Sequence, residues 1–396
     1  MRFTSLKDAD VRGKRVLLRE DLNVPMKDGA IADETRITAA LPTLRWLHEH
    51  GAKTVILSHL WRPDGKPNPK YSLRPVATRL AELLGTPVRF VGDCVGPEAV
   101  AASRALPDGG FALFENVRFH PEEEANDPAF ARELAASGDL YVNDAFGTAH
   151  RAHASTAGVA ADLPAYAGFL MEAELAALAR LTEHPEHPFV CAIGGAKVVD
   201  KVGVFENLLA KVDAFVIGGG MANTFLAAQG INVGRSLRDP DLMPAQRIIA
   251  MSLSKGVQLH LPTDAVVADA FDADASARTV SLDAVGDAMI LDIGPETARA
   301  YADVLRRAKT IVFNGPMGVY EKRPYQDGTR VVGQAIAEAT RDGAVSVVGG
   351  GDAAAAAHAL GFADAMTHVS TGGGATLEFL EGKALPGVVA LEEHAA

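Results

Sequence analysis

Short apolar runs rich in β-branched residues recur along the whole chain, and helix-like segments lie between many of them. Most of the runs are continuous rather than alternating, as in "RVLLR", "TVILSH", "FVCAIGG" and "TIVFNGP". Continuous apolar runs are typical of strands that are buried on both faces of a sheet. Segments such as "LRPVATRLAELLG" and "PETARAYADVLRRA" have helical patterns. The alternation predicts an α/β protein with parallel sheets and right-handed crossovers.

The strand-like runs are too many for one ordinary sheet, and their ends change in character near residue 180. In the first half they tend to end in polar residues, and in the second half in glycines. The segment "AGFLMEAELAALARLTEHPEHP" lies between the halves and is predicted to be a helix that ends at His184. Two domains also fit a length of 396 residues. Because ligands bind beyond the carboxyl ends of parallel strands, we expect two binding edges, one basic and one glycine-rich.

The glycine-rich edge consists of four clusters, "IGGAK", "IGGGMANTF", "VGGGDAAAA" and "STGGGATLEF". Each cluster follows a strand-like run, and three directly precede a helix-like segment. Glycine lets the backbone approach phosphate closely, and helix N-termini provide free N–H groups. Lys197 and Lys201 would share one face if "GGAKVVDK" is helical, which makes them candidate phosphate ligands as well as ordinary surface lysines. The pattern predicts a phosphate site.

Two kinds of phosphate ligand fit the loop at 349–354. Its sequence, "GGGDAA", satisfies GxGxxA, so a dinucleotide site is one interpretation. However, the loop lies near the end of the chain, and Asp352 inside it would repel a pyrophosphate. An aspartate among phosphates is favourable when it holds Mg²⁺. The loop therefore favours a phosphate ligand with bound Mg²⁺ over a nicotinamide dinucleotide.

The basic edge gathers side chains that lie, with one exception, at or just after strand ends. They are Arg19, Arg36, His59, Arg62, Arg118, His150, Arg151 and His153, with Arg36 the exception. Taken singly, each is explained as an ordinary surface charge or as a histidine whose hydrogen bonds are all made within the protein. Together they predict an anion site, because arginine suits bidentate contacts with carboxylate and phosphate. Asp21 and Asn23 can hydrogen-bond a hydroxyl group of the same ligand. His150 and His153 are three residues apart, a spacing that can ligate a metal. The neighbouring arginines disfavour a bound cation, however. We therefore expect the two histidines to add positive charge to the edge.

Composition restricts the partners of the chain. A net charge of −12 argues against general binding of nucleic acids or anionic membranes, so any anion site has to be built locally. The two cysteines, Cys94 and Cys191, form no disulfide framework and fit a reducing cytosol. No apolar run reaches the roughly 18 residues of a membrane span, and no targeting peptide is recognisable, so a cytoplasmic location is expected.

A dozen ordered motifs resemble those of phosphoglycerate kinase over nearly the whole chain. They are "LLREDLNVP", "DETRI", "LSHLWRP", "KYSLRPVA", "LFENVRF", "NDAFGTAHRAH", "GGAKVVDK", "IGGGMANTF", "FNGPMGVYE", "GGGDAAAA", "STGGGATLEFLEG" and "LPGVVAL". The resemblance implies reversible Mg²⁺-dependent phosphoryl transfer from 1,3-bisphosphoglycerate to ADP, which gives 3-phosphoglycerate and ATP. It also implies a monomer.

The resemblance further implies two Rossmann-like domains that are joined by a helix and a hinge. We expect a substrate domain at 1–166, a connecting helix at 167–184 and a nucleotide domain at 185–381. The tail at 382–396 would pack back on the first domain. Arg36 and Lys197 come from different domains, so a hinge closure is expected to assemble the site and exclude water.

The same resemblance implies roles for individual residues. The implied substrate ligands are Asp21, Asn23, Arg36, His59, Arg62, Arg118 and Arg151, and the rest of the basic patch is Arg19, His150 and His153. The implied nucleotide ligands are Lys201, Gly218, Gly219, Gly220, Leu291, Asn314, Val319, Glu321, Gly350, Gly351, Asp352 and Ala353. Asp352 would hold Mg²⁺, and Arg36, Lys197 and Gly373 would surround the transferring group. A non-catalytic relative is disfavoured because Arg36, Lys197 and Asp352 are all present.

Three residues depart from the pattern of the family. Trp61 stands where members usually have glycine, and a bulky indole beside His59 and Arg62 would reshape the substrate edge unless it points outward. Ala353 replaces the usual Ser or Thr, which removes one hydroxyl contact to phosphate. Ile290 stands where a glycine is common and would narrow the adenine pocket.

Overall fold

Two parallel sheets form the centres of two separate units of the chain. The computed structural model describes residues 2–272 and 274–394. One unit contains the residues up to Leu175 together with those from Ala384 onward, and the other contains Ala176–Lys383. Both units have α/β architecture with parallel sheets, which confirms the predicted fold class.

The first unit is built on a six-stranded sheet with the order β5-β6-β4-β1-β7-β8. The strands of this unit are β1 (Arg15–Arg19), β2 (Met26–Lys27), β3 (Ala30–Ile31), β4 (Lys53–Leu57), β5 (Val88–Val91), β6 (Phe111–Phe114), β7 (Leu140–Asn143) and β8 (Ala165–Ala167). All five neighbouring pairs of this sheet are parallel. Leu17 and Leu18 are adjacent in β1 and both are fully buried, so both faces of the sheet are covered. This explains the continuous apolar runs.

Helices cover both faces of this sheet. They are α1 (Thr35–Glu49), α2 (Arg74–Leu84), α3 (Gly96–Arg104), α4 (Pro121–Glu124), α5 (Pro128–Ala135) and α6 (Phe169–Thr182). On one face, Val16 and Leu18 belong to a core cluster with Leu44 of α1 and Leu80 of α2. The last helix corresponds to the predicted connecting helix, but it ends at Thr182, before His184.

The second unit repeats the architecture with the strand order β11-β10-β9-β15-β16-β17, and an antiparallel sheet, β13-β12-β14, is added. The strands are β9 (Phe189–Ile193), β10 (Ala214–Ile217), β11 (Gln258–His260), β12 (Asp264–Ala268), β13 (Arg278–Ser281), β14 (Met289–Ile293), β15 (Thr310–Asn314), β16 (Val345–Val348) and β17 (His368–Val369). All five neighbouring pairs of the six-stranded sheet are parallel.

The remaining helices follow in the second unit and at the end of the chain. They are α7 (Val202–Leu208), α8 (Gly219–Ala228), α9 (Met243–Lys255), α10 (Pro295–Arg306), α11 (Asp327–Arg341), α12 (Gly351–Ala359), α13 (Gly374–Leu380) and α14 (Pro386–Glu392). The last helix belongs to the first unit, where the Gly387 N–H donates to the Ala149 carbonyl at 2.9 Å, next to the predicted basic patch. In the described part of the chain, no helix is long and apolar enough to cross a membrane.

Candidate active site

The basic edge of the first unit draws on four neighbouring strands, β6, β4, β1 and β7. Arg19 is the last residue of β1, and His59, Arg118 and Arg151 lie in the loops that follow β4, β6 and β7. Because these strands are parallel, all four loops leave the sheet at the same edge. The sheet order therefore collects cations that lie far apart in sequence.

Arg19 lies at the floor of this edge and is fully buried. Its Nε donates to Ser155 Oγ at 2.7 Å, its Nη1 donates to the Glu20 carbonyl, and its Nη2 lies 3.2 Å from His59 Nδ1. Arginine can only donate, so His59 Nδ1 accepts and the ring proton sits on Nε2. The Ser155 hydroxyl in turn donates to the buried Glu123 at 2.5 Å. The guanidinium is therefore held in one orientation by a buried polar network.

Arg118 is a second buried cation at the edge, with an exposed fraction of 4%. Its Nη1 donates to the Trp61 carbonyl at 2.9 Å, and it forms an ion pair with Glu124 at 3.2 Å. Burial, and then the charges of Arg151 and Arg19, lower the pKa of Arg118 to about 10. The guanidinium stays charged at neutral pH, so an anion placed here would relieve the repulsion among these arginines.

The histidines of the edge do not add charge in the way that we expected. Burial, together with the charges of Arg118 and Arg19, lowers the pKa of His153 to about 3, so the expectation of a positive charge at His153 is wrong. Burial likewise lowers the pKa of His59 well below its ordinary value. His150 Nε2 accepts a hydrogen bond from Arg151 Nε at 3.2 Å, which requires an unprotonated Nε2. His59 and His153 therefore act as neutral hydrogen-bonding groups.

Among the described residues, a group of three potential metal ligands lies elsewhere in the unit. Its ligand atoms, from Asp93, Cys94 and His120, are all within 4.8 Å of one another. His153 instead lies 3.9 Å from Glu123, and His150 contacts an arginine.

Asp21, Asn23 and Arg36 lie together in the first unit. Arg36, the second residue of α1, forms an ion pair with Asp21 and leaves about a third of its side chain exposed, at 32%. Asp21 Oδ1 accepts from the Asn23 N–H at 3.3 Å, and Asn23 Oδ1 accepts from the Trp61 N–H at 2.8 Å. Arg62 is exposed in the loop after β4.

Glycine loops and helix starts form the corresponding edge of the second unit. Gly218, Gly350 and Gly373 each precede the first residue of a helix, α8, α12 and α13 respectively, and none of these helices begins with a side-chain cap. The first N–H groups of a helix without a cap can bind an anion. This is the arrangement that the glycine clusters predict. In α8, however, the N–H groups of Gly219 and Met221 already donate to the Met317 and Gly195 carbonyls, at 2.7 and 3.1 Å.

Backbone geometry explains why glycine is needed at two of these positions. Gly219 has a φ of +66°, and a Cβ there would lie 2.7 Å from the Gly195 carbonyl oxygen. Gly350 has a φ of +104°. Other residues rarely adopt such angles, so these loops keep their shape only with glycine.

A mainly apolar cavity of about 620 Å³ opens beside these loops, and its size suits a small-molecule ligand. Among the predicted nucleotide ligands, those that line it are Gly219, Gly220, Leu291, Val319, Glu321 and Asp352. Val319 N–H donates to the Leu291 carbonyl at 2.9 Å, which ties two walls together. Ile290 is in the lining, where its side chain takes up space that glycine would leave free.

The remaining predicted ligands lie outside this lining. Gly218, Lys201, Asn314, Gly350, Gly351 and Ala353 are in neighbouring loops and at the start of α12. Ala353 is buried, with an exposed fraction of 1%, and it brings no hydroxyl group to the loop. Asp352, by contrast, is exposed at the cavity.

Lys197 and Lys201 differ in their surroundings. Lys197 is exposed, whereas Lys201 donates to the Gly194 carbonyl at 2.8 Å and to the Asn314 carbonyl. Only a short 3₁₀ turn, Val199–Lys201, precedes α7, so the helix on which both lysines would share a face does not form. Burial lowers the pKa of Lys201 to about 8, although the nearby Asp352 opposes the shift.

Several buried carboxyl groups were not singled out from the sequence, and three of them are Glu20, Asp144 and Asp292. Glu20 and Asp144 are buried against each other, and burial raises the pKa of Asp144 to about 6 and that of Glu20 well above its ordinary value, so the pair retains a proton. Asp144 also accepts from the Met171 N–H of α6 at 3.0 Å. In the second unit, Asp292 lines the cavity and accepts from Gly328 N–H at 2.8 Å, and burial raises its pKa to about 8. The only sequence signal was a carboxylate inside or directly after an apolar run.

Comparisons with known proteins agree on one family. The family description "Phosphoglycerate kinase" matches residues 6–383. The phosphoglycerate kinase of Chloroflexus aurantiacus is 56% identical over 398 residues, which covers 99% of this chain and 100% of the relative. That of Moorella thermoacetica is 56% identical over 391 residues, with coverages of 98% and 99%.

Solved structures give the same result. The phosphoglycerate kinase of Coxiella burnetii superposes with a TM-score of 0.92 at 45% identity and covers 100% of both chains. The structure from Pyrococcus horikoshii has a TM-score of 0.83 at 35% identity and covers 99% of both chains.

Proposed function

Because this chain belongs to the phosphoglycerate kinase family, we propose that its basic edge and its glycine-rich edge bind the two substrates of that enzyme separately. The enzyme transfers a phosphoryl group reversibly from 1,3-bisphosphoglycerate to ADP, which gives 3-phosphoglycerate and ATP. It is a kinase whose acceptor is a carboxyl group. One observation carries the assignment of the two sites. Charged side chains lie at the strand ends of one unit, whereas helix starts without a side-chain cap follow the strands of the other.

On the acid-substrate side, the arginines bind the phosphate and carboxylate groups. Arg19, Arg118 and Arg151 supply charge from three strand ends, and Arg62 adds a fourth, exposed guanidinium. His59 offers a neutral Nε2–H donor, because its Nδ1 accepts from Arg19. Asp21 and Asn23 hydrogen-bond the hydroxyl of the glycerate. Charge-assisted and bidentate hydrogen bonds give such a site both affinity and orientation.

On the nucleotide side, the cavity accepts the adenosine group. Leu291 and Val319 wall the base together with Gly219 and Gly220, which follow Gly218 at the start of α8, and Glu321 binds the ribose hydroxyls. Lys201, Asn314 and the start of α12 at Gly350 and Gly351 bind the phosphates. The apolar lining and the free N–H groups suit these two parts of the ligand.

The residues present also fit a magnesium ion bound with the nucleotide phosphates. Asp352 is an exposed carboxylate at the cavity, and oxygen ligands are those that Mg²⁺ prefers. The ion would neutralise charge on the phosphates when it is bound. Ala353 offers no hydroxyl beside it, so the phosphates rely on backbone N–H groups at that position.

Transfer is direct, and this chain's own residues position the reactants and stabilise charge. Phosphoryl transfer needs alignment and electrostatic stabilisation rather than a protein nucleophile. Arg36, Lys197 and the N–H groups that follow Gly373 stabilise the transferring group. Arg36 and Lys197 belong to different units, so each unit contributes one of the cations that stabilise the transferring group.

We also propose that the enzyme is a cytoplasmic monomer without a nucleic-acid partner. The acidic net charge of −12 and the two buried free cysteines support this proposal.

A coupled assay tests the function. Purified protein with 3-phosphoglycerate, ATP and Mg²⁺ should turn over, and Lys197→Ala should lower kcat strongly. Absence of turnover in the unaltered protein would refute the function. The dinucleotide interpretation of the 349–354 loop predicts instead that NADH binds, with a fluorescence change and no need for Mg²⁺.

A further inference from the structure

Trp61 has a backbone conformation that its side chain does not favour. It lies in the loop after β4 with a φ of +56°, in the left-handed region, where a bulky residue is a genuine outlier. Its indole is 47% exposed, so burial of the side chain does not account for the conformation. Strained backbone of this kind persists only where surrounding contacts fix it.

The contacts that fix Trp61 are made by its peptide groups. Its N–H donates to Asn23 Oδ1 at 2.8 Å, and its carbonyl accepts from Arg118 Nη1 at 2.9 Å. The preceding carbonyl, of Leu60, accepts from Asn116 Nδ2 at 2.8 Å. Three side chains, Asn23 from the loop after β1 and Asn116 and Arg118 from the loop after β6, therefore hold one turn of backbone.

Two of these partners are in the acid-substrate site assigned above. Because Asn23 Oδ1 faces Trp61, the amide Nδ2 of Asn23 is left as the donor for a ligand. Arg118 is nearly buried, so its bond to Trp61 restricts the directions in which its other N–H groups point. The left-handed turn lets the N–H and the carbonyl of one residue reach both side chains.

We propose that Trp61 is a positioning residue for the acid substrate, and that its left-handed backbone, rather than its indole, orients Asn23 and Arg118. This inference rests on the proposed function of the basic edge. It predicts that the site depends on how readily residue 61 adopts a positive φ. Glycine and asparagine adopt it readily, whereas a β-branched residue does not.

Three variants distinguish the effect of the backbone conformation from the effect of the indole. They are Trp61→Gly, Trp61→Asn and Trp61→Val. All three remove the indole, but only valine opposes the left-handed turn. We expect the KM for 3-phosphoglycerate to stay within about threefold of the unaltered enzyme for glycine and asparagine, and to rise about tenfold for valine. The KM for Mg-ATP should be unchanged in all three, because the nucleotide residues lie in the other unit. Thermal unfolding of each variant is measured in parallel.

The outcomes distinguish this inference from the proposed function. If all three variants raise the KM for 3-phosphoglycerate equally, or if valine behaves like glycine, the backbone role is refuted while the function stands. If the unaltered protein does not turn over, the function fails, and calorimetry of 3-phosphoglycerate against the same variants still tests the positioning role. Absence of 3-phosphoglycerate binding by the unaltered protein in that titration would overturn both.

Discussion

The two sheet edges of this enzyme are equipped to hold anions by different means. In the first unit the positive charge comes from arginine side chains, and one of them, Arg19, is held by a buried network that includes Ser155 and Glu123. In the second unit the proposed phosphate site is the start of α12, which has no side-chain cap, and glycines allow close approach. Both edges occur on the same kind of parallel sheet. The fold thus provides a place for a ligand, and the loop residues decide its chemistry.

The difference makes the two edges sensitive to different substitutions. Removal of a charge should damage the basic edge, and addition of a Cβ should damage the glycine-rich edge. A substitution at either edge should mainly weaken binding of the substrate that this edge holds. Three of the four predictions below compare charged residues of the two edges, and the fourth concerns the buried pair beneath the basic edge; the largest expected effect comes first.

Arg36 is the residue of the first unit for which we expect the largest effect. Arg36→Met should lower kcat by about 10²–10³, because a preorganised positive charge is lost from the transition state. The KM for Mg-ATP should change little. The measurement is the coupled assay, with thermal unfolding to detect any cost of leaving Asp21 without its ion pair.

The matched control is Arg132→Met, since Arg132 is an exposed arginine of the same unit. It should leave kcat unchanged. A comparable loss in both variants would mean that net charge, rather than the position of Arg36, supports catalysis.

Asp352 provides the corresponding test in the second unit. Asp352→Asn should weaken binding of Mg-ATP by about tenfold or more and leave 3-phosphoglycerate binding nearly unchanged, because only the nucleotide complex carries Mg²⁺. Isothermal calorimetry with each ligand measures both affinities. Equal losses for the two ligands would contradict the assignment of Asp352 to the metal.

Lys201 should give nucleotide binding a pH dependence that the basic edge lacks. Its pKa in the free protein is lowered to about 8, so the ammonium is charged below that pH and loses its proton above it. The KM for Mg-ATP should therefore rise as the pH passes from 7 to 9. Lys201→Arg stays charged over this range and should flatten the profile. A profile that is identical in both proteins would exclude Lys201 as the titrating group.

The smallest effect concerns the buried pair beneath the basic edge. The pKa values of Glu20 and Asp144 are raised in the folded protein, so the folded state retains a proton that the unfolded chain releases. The stability that this pair contributes is present in full below the unfolded pKa values near 4 and is lost as the pH rises through about 6 and beyond. The free energy of unfolding should therefore fall as the pH rises over this range.

Glu20→Gln removes the need for the shared proton, because the amide can donate to Asp144. Its Tm at pH 8 should exceed that of the unaltered protein by about 2–4 °C, and its Tm should vary less with pH. Calorimetric scans from pH 5 to 8 measure this. Glu98→Gln, at an exposed position of α3, should show neither change. Equal pH dependence in the Glu20 variant would refute the shared proton.

The sequence was informative where a feature depends on local pattern. Continuous apolar runs predicted the parallel strands, and the polar residues or glycines that follow them predicted the two edges, because parallel strands place their carboxyl ends together. The start of α12 after "GGGD" followed from the same rule. Family motifs supplied the residue roles, which periodicity alone did not.

Features that depend on packing were not predictable in this way. The loss of charge at His153 results from burial next to arginines of other loops, and the inward position of Lys201 results from a short 3₁₀ turn in place of a helix. The left-handed backbone of Trp61 depends on two partners that are distant in sequence. Each of these is set by contacts between loops, which a local pattern does not contain.

The most direct test of the separation of the two edges is a crosswise titration. Calorimetry would measure 3-phosphoglycerate and Mg-ATP binding to Arg151→Gln, in the first unit, and to Lys201→Gln, in the second. We expect Arg151→Gln to weaken 3-phosphoglycerate by about tenfold or more and Mg-ATP by less than about twofold, and Lys201→Gln to show the reverse. Equal losses for both ligands in either variant, or the opposite pairing, would contradict the account.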